Sequence, residues 1–170
     1  MRINMRPIRW AGLLATLGIC ALANPRLTGP GAAGKGQANM TTPSSTNIVR
    51  YFPAADVTAA LQKGTPLLND PSLNYRILSG QHTSPGVVEL HTKETDVFYV
   101  VDGAATFITG GTMIGGKETS PGEWRGTDIQ GGDSHSLVQG DVIVIPAGTP
   151  HWFKIVPSAI HYFVVKVRTN

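Results

Sequence analysis

Four side chains of the kinds that move protons or hold metal ions stand at spacings that β-strands can bring together. Glu89 and His91 are two residues apart, so strand alternation puts both on one face and turns Leu90 to the other. Asp96 follows five residues later, at the entrance to the β-branched and aromatic run 97–101. His151 comes sixty positions after His91, directly behind Pro146-Ala147-Gly148-Thr149-Pro150, and opens another apolar run. Each has an ordinary alternative. Glu89 reads equally as a solvated outward residue, since glutamate is rarely buried. Asp96 reads as a cap or turn residue after Thr95, and Glu94 is near enough to take its place. His82, His135 and His161 fit no pattern and read as surface or satisfied core residues, although the alternation of His161 with Phe163, Val165 and Val167 allows it an interior position.

The elements that must position these residues are mostly strands. Candidate strands cover 75–79, 86–91, 97–101, 104–109, 136–138, 142–145, 151–156 and 160–168, punctuated by Gly, Pro and Asp-Gly. Asp102-Gly103 between two such runs signals a tight hairpin, and Gly110-Gly111 and Gly140-Asp141 mark further turns. One short helix is expected, with Pro53 at its start, Val57, Ala60 and Leu61 on one face, and Lys63-Gly64 at its end. The polar, Gly-rich stretch 117–132 reads as a long loop. Many short strands with one peripheral helix, and no internal repeat, predict an all-β antiparallel sandwich or closed barrel.

At this point the sequence resembles a known family. Glu89-x-His91, four residues, Asp96, six residues and Gly103 resemble the first cupin motif, His-x-His, three or four residues, Glu, six residues, Gly. Gly140, Pro146, Gly148 and His151 match the second motif, Gly, five residues, Pro-x-Gly, two residues, His, without a gap. The two together cover most of 86–153 and are similar to those of small single-domain cupins with type-2-like motifs. There are departures. Glu89 stands where the family has its first His, Asp96 where it has Glu, Ile155 where it has a late Asn, and Thr83 where it has an early Gly.

The resemblance implies a cupin-type barrel or jelly roll and a metal site of two His and two carboxylates, Glu89, His91, Asp96 and His151. Two hard carboxylates favour Mn or Fe, while imidazole also suits Zn, Ni or Cu. Four protein ligands around an octahedral ion leave two positions for water or substrate. If the short Asp96 does not reach, Glu89, His91 and His151 make a two-His-one-carboxylate triad. The function implied is metal-dependent oxygenation, isomerisation or lyase chemistry on a small organic molecule. The alternative, from a different class, is a non-catalytic small-molecule or sugar-binding module. A third reading is a barrel kept for self-assembly, since cupins pair through sheet edges to form homodimers. Phe98, Phe107, Trp152 and Phe153 read as core or rim packing, and Tyr99, Arg76, Lys166 and Arg168 as either pocket-lining or outward strand residues.

The start of the chain has a separate logic. Arg2, Arg6 and Arg9, an apolar run from Trp10 to Leu22 and the small-x-small Ala21-Leu22-Ala23 together read as a signal peptide, 1–23, with the cut before Asn24. The run is short for a membrane span, and no later stretch is long and apolar enough for one. Cys20 lies within the leader, and Ile19 before it does not suit lipidation. A Gly/Ala/Pro/Ser/Thr-rich flexible tether, 24–46, and a single barrel domain, 47–170, would follow. The whole chain has 14 Lys+Arg against 11 Asp+Glu, but three of those arginines belong to the leader, so the exported part balances at 11 against 11. With no basic arm, nucleic acid is excluded as an expected partner. The expected location is periplasmic or secreted.

Overall fold

The computed structural model describes residues 48–169, and the leader 1–23, the segment 24–46 and the two outermost residues of the expected domain lie outside them. In chain order the described residues form α1 (Ala54–Lys63), β1 (Pro66–Leu68), β2 (Tyr75–His82), β3 (Val88–His91), β4 (Glu94–Thr109), β5 (Thr112–Ile114) and β6 (Lys117–Ser120). There follow β7 (Glu123–Gly126), β8 (Asp128–Gln130), β9 (Asp133–Val138), β10 (Val142–Ile145), β11 (His151–Ile155) and β12 (Ile160–Arg168). All pairings are antiparallel. One sheet runs β1-β2-β12-β4-β10, a second β9-β4-β11-β3-β7-β6, and β5 pairs with β8 in a separate two-stranded sheet. The long β4 belongs to both larger sheets and closes them into a jelly-roll barrel, so the all-β expectation holds.

β4 overturns the expected hairpin at Asp102-Gly103. The chain does not reverse there, and β12 pairs straight past it, Ile160 with Gly103, His161 with Asp102 and Tyr162 with Val100. Skipping Val101 makes a bulge, and Gly103, at φ 84°, bends the strand from one sheet into the other. A Cβ on Gly103 would meet the Ala159 carbonyl oxygen. An Asp-Gly pair offers the positive φ that either a two-residue turn or a bulged bend consumes, and only the partner strand decides between them.

The expected loop 117–132 is also corrected, because it contains β6, β7 and β8. β6 is exposed at every residue, so it lacks the apolar alternation that marks a half-buried strand. β7 was hidden for another reason. Its Glu123 and Arg125 sit opposite charged site residues rather than against a hydrophobic core. β1 was not anticipated either. The helix agrees with expectation, and Gly64 closes it in the left-handed region at φ 62°. Ala60 of α1 is buried, and the Ser79 hydroxyl lies 2.7 Å from the carbonyl oxygens of Ala60 and Thr65, fixing the helix to β2.

The core is aromatic at its centre. Phe98, Phe107 and Phe153 are buried with Val100, Leu137, Ile145, Ile160 and Val164. Phe107 is fully enclosed, with its ring centroid 4.5 Å from Phe153 and 5.8 Å from Phe98. This cluster is also the floor of the site, since the His151 ring lies 6.0 Å from Phe107 and 6.4 Å from Phe98. Along β12, Ile160, Tyr162, Val164 and Lys166 turn inward. His161 shares the other face with Phe163, Val165 and Val167, which removes the interior position its alternation had allowed.

Candidate metal centre

Register builds the site. His91 of β3 stands opposite Glu123 of β7, and Glu89 stands opposite Arg125 on one side and His151 of β11 on the other. Asp96 of β4 stands opposite Lys166 of β12. All four residues singled out by spacing therefore meet at one end of the barrel. The His91 and His151 ring centroids are 5.1 Å apart. Glu89 Oε2 lies 3.6 Å from His91 Nε2 and 3.8 Å from His151 Nε2, and Asp96 Oδ2 lies 3.5 and 3.8 Å from the same two atoms.

Both imidazoles have their orientation set from behind. His91 Nδ1 is 2.7 Å from the Glu123 carboxylate, and His151 Nδ1 is 3.1 Å from the Thr149 carbonyl. Neither oxygen can donate, so each Nδ1 carries the hydrogen, and in a neutral ring each Nε2 keeps its lone pair. Both Nε2 atoms are buried, without a hydrogen-bond partner, and aimed at the same space. Orphaned buried acceptors are costly and uncommon. Two of them facing the carboxylates of Glu89 and Asp96 fit a cation. Ligand atoms ~2.1 Å from a common ion stand about 3.0 Å apart at right angles and about 3.4 Å apart in a tetrahedron. The gaps of 3.5–3.8 Å are close to the tetrahedral spacing and wider than the right-angle one by more than half an ångström in most cases.

Glu89, His91 and His151 each offer one ligand atom within 4.8 Å of the others, a group able to hold a metal ion. Asp96 Oδ2 is as close to both histidine nitrogens as Glu89 Oε2, but both Asp96 oxygens also lie 2.7 Å from Lys166 Nζ. Glu94 does not replace it. Its carboxylate is 2.6 Å from Arg76 Nη2 and 3.6 Å from Lys166 Nζ, and it joins only a second grouping, with Glu123, that competes for the same His91.

The charges are strongly coupled. Burial alone would raise the Glu89 pKa, but the proximity of His91, with Arg125 and His151, holds it at about 2. Burial likewise disfavours the charged form of His91, yet Glu89, Asp96 and Glu123 around it leave its pKa raised. His151 goes the other way, lowered chiefly by burial. Beside these groups lies a pocket of about 270 Å³ lined in part by Arg76, Glu123, Arg125, Tyr162 and Lys166. A narrower one of about 80 Å³, between His82, Val87, Phe98, Trp152, Phe153 and Tyr162, reaches Glu89 and His151 from the other side.

Of the residues read as either pocket-lining or outward, Arg76 and Lys166 line the pocket. Tyr99 is exposed, and Arg168 lies at the surface against the carbonyls of Pro71 and Leu73. Phe98, Phe107 and Phe153 are core, while Trp152 is half-buried and donates its indole N–H to the Gly86 carbonyl. His135 meets the Thr109 hydroxyl, away from the site. His82 packs beside the stacked Phe153 and Tyr162 rings, 4.6 and 6.0 Å from their centroids, on the pocket wall. Glu123 and Arg125 were missed with their strand. The available signal was Glu-Trp-Arg behind Pro121-Gly122, the same two-residue alternation as Glu89 and His91.

A family profile described as Cupin matches residues 54–170, and no curated protein sequence matches. Similar folds occur in an oxalate oxidase (17% identity, 57% of this chain and 43% of that one, TM-score 0.41) and in procruciferin, an 11S globulin from Brassica napus (16%, 68% and 23%, 0.42). A cupin 2 conserved barrel domain protein from Rhodopseudomonas palustris is similar at 18% identity over 62% of this chain and 59% of that one, with a TM-score of 0.42. The chain thus spans less than half the length of the oxalate oxidase it resembles. With the profile running through both motif segments and the whole barrel from α1 onward, the chain belongs to the cupin family.

Proposed function

We propose that this protein holds one divalent transition-metal ion between Glu89, His91 and His151 and acts on a small organic molecule in the adjoining pocket. The observation that carries this reading is the pair of buried, unpartnered Nε2 atoms converging beside the Glu89 carboxylate. The donor set of two imidazoles and a hard carboxylate suits Mn(II) or Fe(II) first, and Zn, Ni or Cu after them. A bound ion would supply Lewis-acid charge for oxygenase, isomerase or lyase chemistry. The chain's own groups prepare the pocket. Phe98, Phe153 and Tyr162 wall it with apolar surface that excludes water. Burial raises the Tyr162 pKa, so its hydroxyl stays protonated and can offer a hydrogen bond, rather than a proton, to a bound oxygen atom. Arg76 and Arg125 border the wider opening with cationic charge, each already paired with an acid.

The proposal includes export, on the strength of the basic leader, apolar run and Ala21-Leu22-Ala23 at the start of the chain. Among the described residues no helix is long and apolar enough to cross a membrane. The test of function is elemental analysis of the purified protein after loading with Mn(II), Fe(II), Co(II) or Zn(II), followed by the same measurement on His91→Ala and His151→Ala. The reading expects about one ion per chain in the native protein and loss of it in both variants. No stoichiometric metal under any loading, with small-molecule binding that survives chelation, would replace it by the non-catalytic binding module.

A further inference from the structure

We propose that Lys166 is a built-in counter-cation that withholds Asp96 from the metal, leaving the ion with three protein ligands; this rests on the metal reading above. The contrast between the two carboxylates carries it. Glu89 divides its oxygens, Oε1 lying 3.3 Å from Arg125 Nε while Oε2 faces the two histidines. Asp96 spends both. Its Oδ1 and Oδ2 each lie 2.7 Å from Lys166 Nζ.

Register makes this pairing permanent, because Asp96 and Lys166 are direct cross-strand partners on β4 and β12. Both are buried, at 1% and 7% exposure, so neither charge can turn to water. A single carboxylate charge cannot neutralise an ammonium and a divalent ion at once without leaving excess positive charge in a dry interior. Glu94, 3.6 Å from Nζ, adds a second reason for the ammonium to stay. Asp96 Oδ2 lies 3.5 and 3.8 Å from the two histidine nitrogens, nearly the distances of Glu89 Oε2, so what sets the two carboxylates apart is the ammonium held by both Asp96 oxygens. Lys166 is therefore a positioning residue that sets the number of protein ligands and keeps coordination positions open for a small molecule.

The test compares Co(II) affinity, by titration against a competing chelator, and Co(II) visible absorption in the native protein, Lys166→Met, and the double variant Lys166→Met/Asp96→Asn. Freed of its partner, Asp96 should join the ion, so Lys166→Met should bind at least tenfold tighter with a changed spectrum. The double variant, which leaves no buried charge unpaired, should return to within about threefold of native affinity and to the native spectrum. If Lys166→Met is unstable alone, Co(II) should raise its melting temperature more than it raises that of the native protein. Native affinity and spectrum in Lys166→Met would overturn the inference. So would a tenfold weaker double variant with an altered spectrum, which would make Asp96 a ligand in the native site. Absence of Co(II) binding in all three would instead end the metal reading itself, and this inference with it.

Discussion

Glu123 offers the most quantitative handle on the site. Its carboxylate lies 2.7 Å from His91 Nδ1, and His91 is 3% exposed, so the ring depends on this acceptor for its orientation. Removing the acceptor frees the ring to rotate and to exchange tautomers, and it lowers the basicity of Nε2. Such supporting contacts are worth about 10- to 100-fold in metal affinity, which corresponds to about 1.4–2.7 kcal/mol. Glu123→Leu should weaken Co(II) binding by that factor. Glu123→Gln keeps an acceptor oxygen but not the charge, and should fall between the two proteins, within about tenfold of native. The assay is chelator-competed titration at pH 7.5, with thermal melts to show that both variants fold. Glu123→Leu within threefold of native would refute the claim that this carboxylate orients a ligand.

Other expectations follow from the same structure. Metal affinity should fall on acidification, since protons compete for both imidazoles. His91, raised above 6.5, is protonated first, giving about a tenfold loss per pH unit, and His151, lowered, steepens the fall further down; titrations between pH 5 and 8 check this, and a flat profile would contradict it. In the metal-free protein Glu89 is held at about 2 against an ordinary 4.5. Its stabilising contribution is thus complete above pH 4.5 and lost as pH falls toward 2, so Glu89→Gln should flatten the stability profile in that window of a denaturant series. Gly140→Ala, at φ 93° in open space, should cost about 1 kcal/mol. Gly103→Ala adds a collision with the Ala159 carbonyl and should cost about 3 kcal/mol in thermal melts. Equal costs would argue against the bulged bend in β4.

The parts of the site legible in the sequence were those whose spacing is local. Glu89 and His91 share a face because strands alternate, and His151 follows a Pro-rich turn at a fixed distance from Gly140. Runs of β-branched and aromatic residues likewise marked the strands on the core, such as β10 and β12. What stayed hidden depends on partners. Glu123 and Arg125 are polar because they face His91 and Glu89, so their strand carried no hydrophobic signature. Lys166 reads locally as a charged residue near the end of a strand, and only its register against Asp96 shows that it is buried and paired. Asp102-Gly103 failed for the same reason, since positive φ serves a bend as well as a reversal.

Anomalous diffraction at the cobalt edge from crystals of the Co(II)-loaded protein tests the central claim most directly. One dominant peak is expected ~2.1 Å from the Nε2 atoms of both His91 and His151 and from a Glu89 oxygen. A dominant peak elsewhere, or one touching neither histidine, would contradict it.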